Sequence, residues 1–104
     1  MATPVRVPRE LAKQILILGG LEHRQVPEEV RGEIAHVEQQ VLNFNIGHRI
    51  MHIIVVSHFV GHAQIARMKS LRPAGSTVYF VEGGSSSIRE QLAQIVETWN
   101  RRPT

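Results

Sequence analysis

Three short apolar runs punctuate the chain: Gln14-Ile15-Leu16-Ile17-Leu18, Ile53-Ile54-Val55-Val56 and Thr77-Val78-Tyr79-Phe80-Val81. The first two are continuous, the second of them β-branched throughout, which is the pattern of strands buried on both faces, and the third reads as a strand as well. Each run stops at a polar loop: Gly19-Gly20, then Ser57-His58-Phe59-Val60-Gly61-His62, then Glu82-Gly83-Gly84-Ser85-Ser86-Ser87. Behind each loop the apolar positions change to helical spacing. Val30, Ile34, Val37 and Val41 follow the first, Ile65, Met68 and Leu71 the second, and Ile88, Leu92, Ile95 and Trp99 the third.

Pro27 suits a first helical turn, and Glu28 and Glu29 are well placed against its dipole, so the spacing predicts a helix from Pro27 through Val41, weakened at Gly32. The alternative makes Ile34 to Glu38 a short extra strand; the unbroken stripe favours the helix. Residues 1–12, with Pro4 and Pro8, read as a flexible arm with one helical turn around Arg9 to Lys13. Asn43 to Arg49 reads as the turn back to the central strand, and Arg72-Pro73-Ala74-Gly75-Ser76 as a stop.

Three strand-loop-helix units in series, without an internal repeat, predict a single α/β domain over residues 1–104. Its core is a small open sheet of three parallel strands, or four if 34–38 adds one, with three helices in two or three layers. Right-handed crossovers carry all three loops to the carboxyl edge of the sheet, where ligands of such folds sit. So narrow a sheet exposes its edges and predicts a homodimer.

Composition removes several chemistries. The chain has no cysteine, which excludes disulfides, thiolate metal sites and a cysteine nucleophile, and no aspartate, which excludes an aspartyl nucleophile or phosphoacceptor. Its apolar runs fall far short of the ~20 residues that span a bilayer, and MATPVRVPRE has no apolar signal core, so the expectation is a cytoplasmic protein without a membrane partner. The net charge of +3 is mild, and the one dense basic spot is Arg101-Arg102 in the tail, weak support for nucleic acid.

FVGHAQIARMK, followed after a strand by VEGGSSSIREQL, together with ILILGG near the start, resembles the bacterial domain-of-unknown-function family 2325. The resemblance covers roughly residues 14–96. It implies a small Rossmann-like domain, with Phe59, Gly61 and His62 in a Phe-x-Ser/Gly-His turn and Ser85, Ser86 and Ser87 in a serine-rich turn. The segment between Gly20 and His52 departs from the family, reading as too short or too helical for its usual extra strand and glycine-bearing loop. No activity comes with the resemblance.

Gly83-Gly84-Ser85-Ser86-Ser87 opens a helix, where free N–H groups, the dipole and hydroxyls suit a phosphate or carboxylate. The plainer reading is a cap by Ser86 or Ser87, with Glu90 completing a capping box. Gly19-Gly20 lacks the third glycine and downstream acid of a dinucleotide fingerprint, so no cofactor is indicated. His58 and His62 stand four apart and share a face if the second helix begins early. With His23 and Glu22 or Glu82 they would offer zinc ligands, though nothing fixes their geometry and no metal is assigned. As an acid-base pair they would serve a metal-independent phosphodiesterase, with Arg24 or Arg67 neutralising charge. Ser57 beside His58 is no hydrolase triad, because neighbours on a strand point to opposite faces.

His36 reads as solvated, His48 and His52 as lying at the far end of the sheet, and Met68 and Trp99 as core or interface. The expected function is a homodimeric module binding a phosphate-bearing ligand, a nucleotide or cyclic oligonucleotide, through Gly19, Gly20, His23, Arg24, Ser57, His58, Phe59, Gly61, His62 and Gly83 to Ser87. The phosphodiesterase using His58 and His62 is the alternative, and a purely partner-binding dimer the third.

Overall fold

The computed structural model describes residues 4–103. Four strands form one all-parallel sheet in the order β2-β1-β3-β4, with β1 Ile15–Leu18, β2 Ala35–Val37, β3 His52–Val56 and β4 Thr77–Val81. The helices are α1 Arg9–Ala12, α2 Glu22–Gln25, α3 His62–Leu71 and α4 Gly84–Asn100, with 3-10 turns at Glu28–Val30 and Ser57–Phe59. This is the α/β, Rossmann-like open sheet that three apolar runs and their loops predict, in its four-stranded form.

Alternation along the strands sorts the core into two layers. Ile15, Ile17, Ile54, Val56 and Val81 point to one face, where Leu11, Val26, Val30 and the Ile88, Leu92 and Ile95 stripe of α4 pack. Leu16, Leu18, Ile53 and Val55 point to the other, under Met68 of α3 and the loop residues Phe44 and Ile50. β1 and the last four residues of β3 are buried along their length, which is why their sequences carry no alternation.

The helix over 27–41 is absent. Pro27 and Arg31 are extended and bracket a three-residue 3-10 turn, and Gly32 takes a φ of +81°, outside the range a right-handed helix uses. The four valines and isoleucines divide accordingly. Val30 and Ile34 are buried in one core layer, Val37 packs against the other, and Val41 is 41% exposed. Ala35–Val37 pairs in parallel with Leu16–Leu18 and becomes the outer strand. A sheet edge wanting hydrogen bonds has overridden a coincidental helical spacing.

Residues 4–12 are no free arm, while residues 1–3 of that expectation lie outside the described residues. Val5 and Val7 pack on the core, and Leu11 and Ala12 of the helical turn are buried. No helix among the described residues is long and apolar enough to cross a membrane.

Candidate functional site

The chain runs from β1 outward to β2, then returns to place β3 on the opposite side of β1. The two crossovers therefore diverge between the carboxyl ends of β1 and β3, the position where open parallel sheets form their ligand crevice. Gly19-Gly20 and Ser57–Phe59 meet there. Gly20 N–H donates to the Phe59 carbonyl at 2.8 Å, Gly19 N–H donates to Val37 O at 2.8 Å, and Gln39 N–H donates back to Gly20 O at 2.9 Å. The loops after β1, β2 and β3 are thus bonded to one another at their backbones.

These contacts leave a hollow of only about 90 Å³, lined by Leu21, Arg24, Gln25, Gln39 and Phe59. A Cβ at Gly19 would stand 2.9 Å from Phe59 O, and one at Gly20, where φ is +70°, would collide with Gln25 Cγ. The glycine pair is required by close packing of backbone on backbone. Phe59 is 42% exposed, and its ring edge lies 3.0 Å from the position a Cβ on Gly83 would take. An apolar ring therefore lies between the hollow and the opening of α4.

That opening differs from the expected serine cap. Gly83 is the residue before the first helical turn and no side chain of the turn caps it; Ser85, Ser86 and Ser87 lie inside the helix. The cap comes from Gln25, whose Oε1 accepts the Gly84 N–H across the sheet edge. The first N–H groups of a helix lack intrahelical acceptors, and those of Ser85 and Ser86 gain none among the described residues. Glu82, exposed beside them, opposes an anion in part.

Two buried glutamines outside the predicted site hold this edge. Gln25, 5% exposed, is the cap just described; Gln64, 1% exposed, donates Nε2 to Glu38 O at 2.9 Å and to Val41 O at 2.8 Å and accepts the Gly61 N–H at 3.3 Å. A glutamine at an inward position of an amphipathic helix was the available clue, since buried amides need partners.

The histidines do not assemble. His58 lies in the 3-10 turn and His62 is the first residue of α3, with Val60 and Gly61 extended between them, so they share no helical face. His23, His58 and His62 are exposed, and their rings make no hydrogen bond among the described residues. No group of three His, Cys, Asp or Glu side chains among the described residues stands close enough to hold a metal ion. Ser57 and His58 share the 3-10 turn and not a strand. Arg67 is committed elsewhere: its Nε donates to Phe44 O at 2.7 Å, with the guanidinium 5.5 Å from the Phe44 ring centre. Arg24 remains the cation at this edge. His36, half-buried and not solvated, bonds Gly19 O through Nε2 at 2.8 Å and so braces the loop after β1.

A larger hollow lies at the other end of the sheet. It measures about 350 Å³ and is lined by Leu16, Ile46 and Ile50 together with Lys13, His48 and Arg49. The carboxyl edge holds the convergent loops and the free helix amides, whereas this amino-end hollow holds more volume and more positive charge.

No protein-family model, curated protein or solved structure matches the chain.

Proposed function

We propose that the protein is a homodimeric ligand-binding module for a phosphate-bearing small molecule of nucleotide type, received at the carboxyl edge between the β1, β3 and β4 loops. The single observation that carries this reading is the placement of the exposed Phe59 ring beside Arg24, which lines the same hollow, and against the opening of α4, where the Ser85 and Ser86 N–H groups meet no acceptor among the described residues. A base has a face to stack on, and a phosphate has a guanidinium and the Ser85 and Ser86 amides to meet. A hollow of about 90 Å³ admits one group of the ligand, so the remainder lies across the edge. The family resemblance supports the same place, because its Phe-x-Ser/Gly-His and serine-rich turns fall on these two loops. It also carries the proposed kinship with family 2325 and a bacterial source, and the short apolar runs support a proposed cytoplasmic setting.

A second reading rests on the amino-end hollow. Its volume and its Lys13, His48 and Arg49 walls suit a small carboxylate or phosphate with an apolar body. The phosphodiesterase reading has less support, since His58 and His62 stand apart and no third group orients either ring.

The test is a thermal-shift titration with nucleotides, cyclic dinucleotides and phosphosugars. A ligand at 100 times its Kd adds about 2.7 kcal/mol of stability. A shift abolished by Arg24→Ala and by Phe59→Ala, and retained by Arg49→Ala, supports the carboxyl edge. Loss in Arg49→Ala alone moves the site to the amino end. Turnover in the wild type that vanishes in His62→Ala makes the protein an enzyme, and the lack of any shift removes the ligand reading.

A further inference from the structure

β4 forms the outer edge of the sheet on the side away from β2. Thr77 N–H donates to Met51 O at 2.8 Å, so Thr77, Tyr79 and Val81 turn their backbone groups towards β3. Alternation along a strand then turns the N–H and C=O groups of Val78 and Phe80 outward, where no strand among the described residues meets them. Edge strands are ordinarily guarded by charge, proline, a bulge or a covering segment. Thr-Val-Tyr-Phe-Val has no charge and no proline, and it pairs with β3 over all five residues without a bulge. Ile65, Met68 and Leu71 of α3 pack on this face as far as Val78 and leave Phe80 58% exposed.

We propose that β4 is the homodimer seam: it pairs antiparallel with β4 of a second copy about a two-fold axis at Tyr79, joining two four-stranded sheets into one of eight. This deepens the homodimer part of the proposed function, on which it rests, and is independent of the ligand. Backbone direction limits the register, and side-chain fit and charge select this occupant and register. Pairing Tyr79 with the partner's Tyr79 places the outward groups of Val78 against the outward groups of the partner's Phe80, so both positions become hydrogen-bonded pairs; a slip of one residue would set outward groups against inward ones. The ring of Phe80 falls beside the partner's Val78 on the same face, so the most exposed large apolar residue among those described in each copy covers the other's half-buried one. Arg72 stands at the amino end of β4, donating Nη2 to Ser76 O at 2.8 Å, and Glu82 follows its carboxyl end. The antiparallel register sets Glu82 opposite the partner's Ser76, next to the partner's Arg72. Parallel self-pairing would set glutamate beside glutamate.

Sedimentation analysis of the full chain should give twice the 11.7 kDa chain mass. Phe80→Lys should halve that mass while keeping the far-ultraviolet circular dichroism of the wild type. The absence of cysteine makes a second test clean. Tyr79→Cys introduces one thiol that faces its own copy at a non-hydrogen-bonded position, so oxidation should yield a covalent dimer on a non-reducing gel, whereas Ala35→Cys on the opposite edge should not. A monomeric wild type overturns the seam and the homodimer together and leaves the edge to a strand of another protein. A dimer that survives Phe80→Lys and is not locked by Tyr79→Cys overturns the seam alone and leaves the homodimer standing. Should Phe80→Lys misfold, the cysteine pair decides.

Discussion

Arg89 of α4 holds the carboxylate of Glu29 with two parallel hydrogen bonds, Nε to Oε2 at 2.8 Å and Nη2 to Oε1 at 2.9 Å, and Val5 N–H donates to the same Oε2 at 2.9 Å. One acid therefore ties the amino-terminal segment, the 3-10 turn after α2 and the last helix together. The Arg89 hydrogen bonds hold the Glu29 carboxyl at about 2, below its ordinary 4.5. A depressed folded value means that the unfolded chain takes up the proton first, so this stabilisation is complete above pH 4.5 and is lost as pH falls from there through about 2. Acid unfolding followed by circular dichroism should show that slope, and Glu29→Gln should lower stability at neutral pH and flatten it. An acid limb unchanged in Glu29→Gln would show that the pair contributes nothing.

Gln64 makes a sharper demand, because three backbone groups depend on one buried amide. Gln64→Leu keeps the volume and strands the carbonyls of Glu38 and Val41 together with the Gly61 N–H. Orphaned buried groups cost about 1–3 kcal/mol each, less where water reaches them. We expect a loss of roughly 2–3 kcal/mol in urea denaturation, with hydrogen exchange accelerating first in residues 38–44. A loss spread evenly over the chain would mean that Gln64 serves general packing and not this clasp.

How much of this was legible in the sequence follows from where the deciding forces act. Strands buried on both faces announce themselves through unbroken apolar runs, and the Ile88, Leu92, Ile95 stripe of α4 is a property of one helix against one core layer. Residues 27–41 failed for the opposite reason. Val30, Ile34, Val37 and Val41 keep helical spacing by coincidence, and what decides their conformation is Gly32 and an unpaired flank of β1 that is remote in sequence. The site divides in the same way. The glycines and loops could be placed at one edge from topology alone, but Gln25 capping α4 joins residues 59 positions apart and leaves no local mark. His58 and His62 looked paired only because spacing within a helix was extended into a segment where the helix has not begun.

The glycines of the site make opposite predictions. Gly20 has a φ of +70° and a Cβ there would strike Gln25, the residue that caps α4, so Gly20→Ala combines left-handed strain with a displaced clasp. Strain and overpacking of this kind sum to roughly 2–4 kcal/mol. Gly61 has a φ of −87° and open space around it, and it is the residue before the first turn of α3, so Gly61→Ala should cost no more than about 1 kcal/mol, the loss of a glycine from a helix N-cap. Thermal melts of the two variants side by side check the contrast; comparable losses would mean that Gly61 has a role in the turn that its surroundings do not reveal.

His52 and Tyr79 extend the pH argument into a second, separate window. His52 Nδ1 lies 3.0 Å from the Tyr79 hydroxyl and the two rings stack at 5.9 Å between centroids, half-buried at the amino side of the sheet. Burial penalises the imidazolium and pushes the His52 value below 6.5. The unfolded chain therefore protonates first, and stability should be flat above pH 6.5 and decline as pH descends from 6.5 towards the folded value, before the Glu29 window opens below 4.5. An NMR titration should find the His52 ring resonances moving below pH 6.5. Because burial and not the tyrosine bond is the cause, Tyr79→Phe should leave that lowering in place while removing the hydrogen bond. A return of His52 to 6.5 in Tyr79→Phe would assign the shift to the hydroxyl instead.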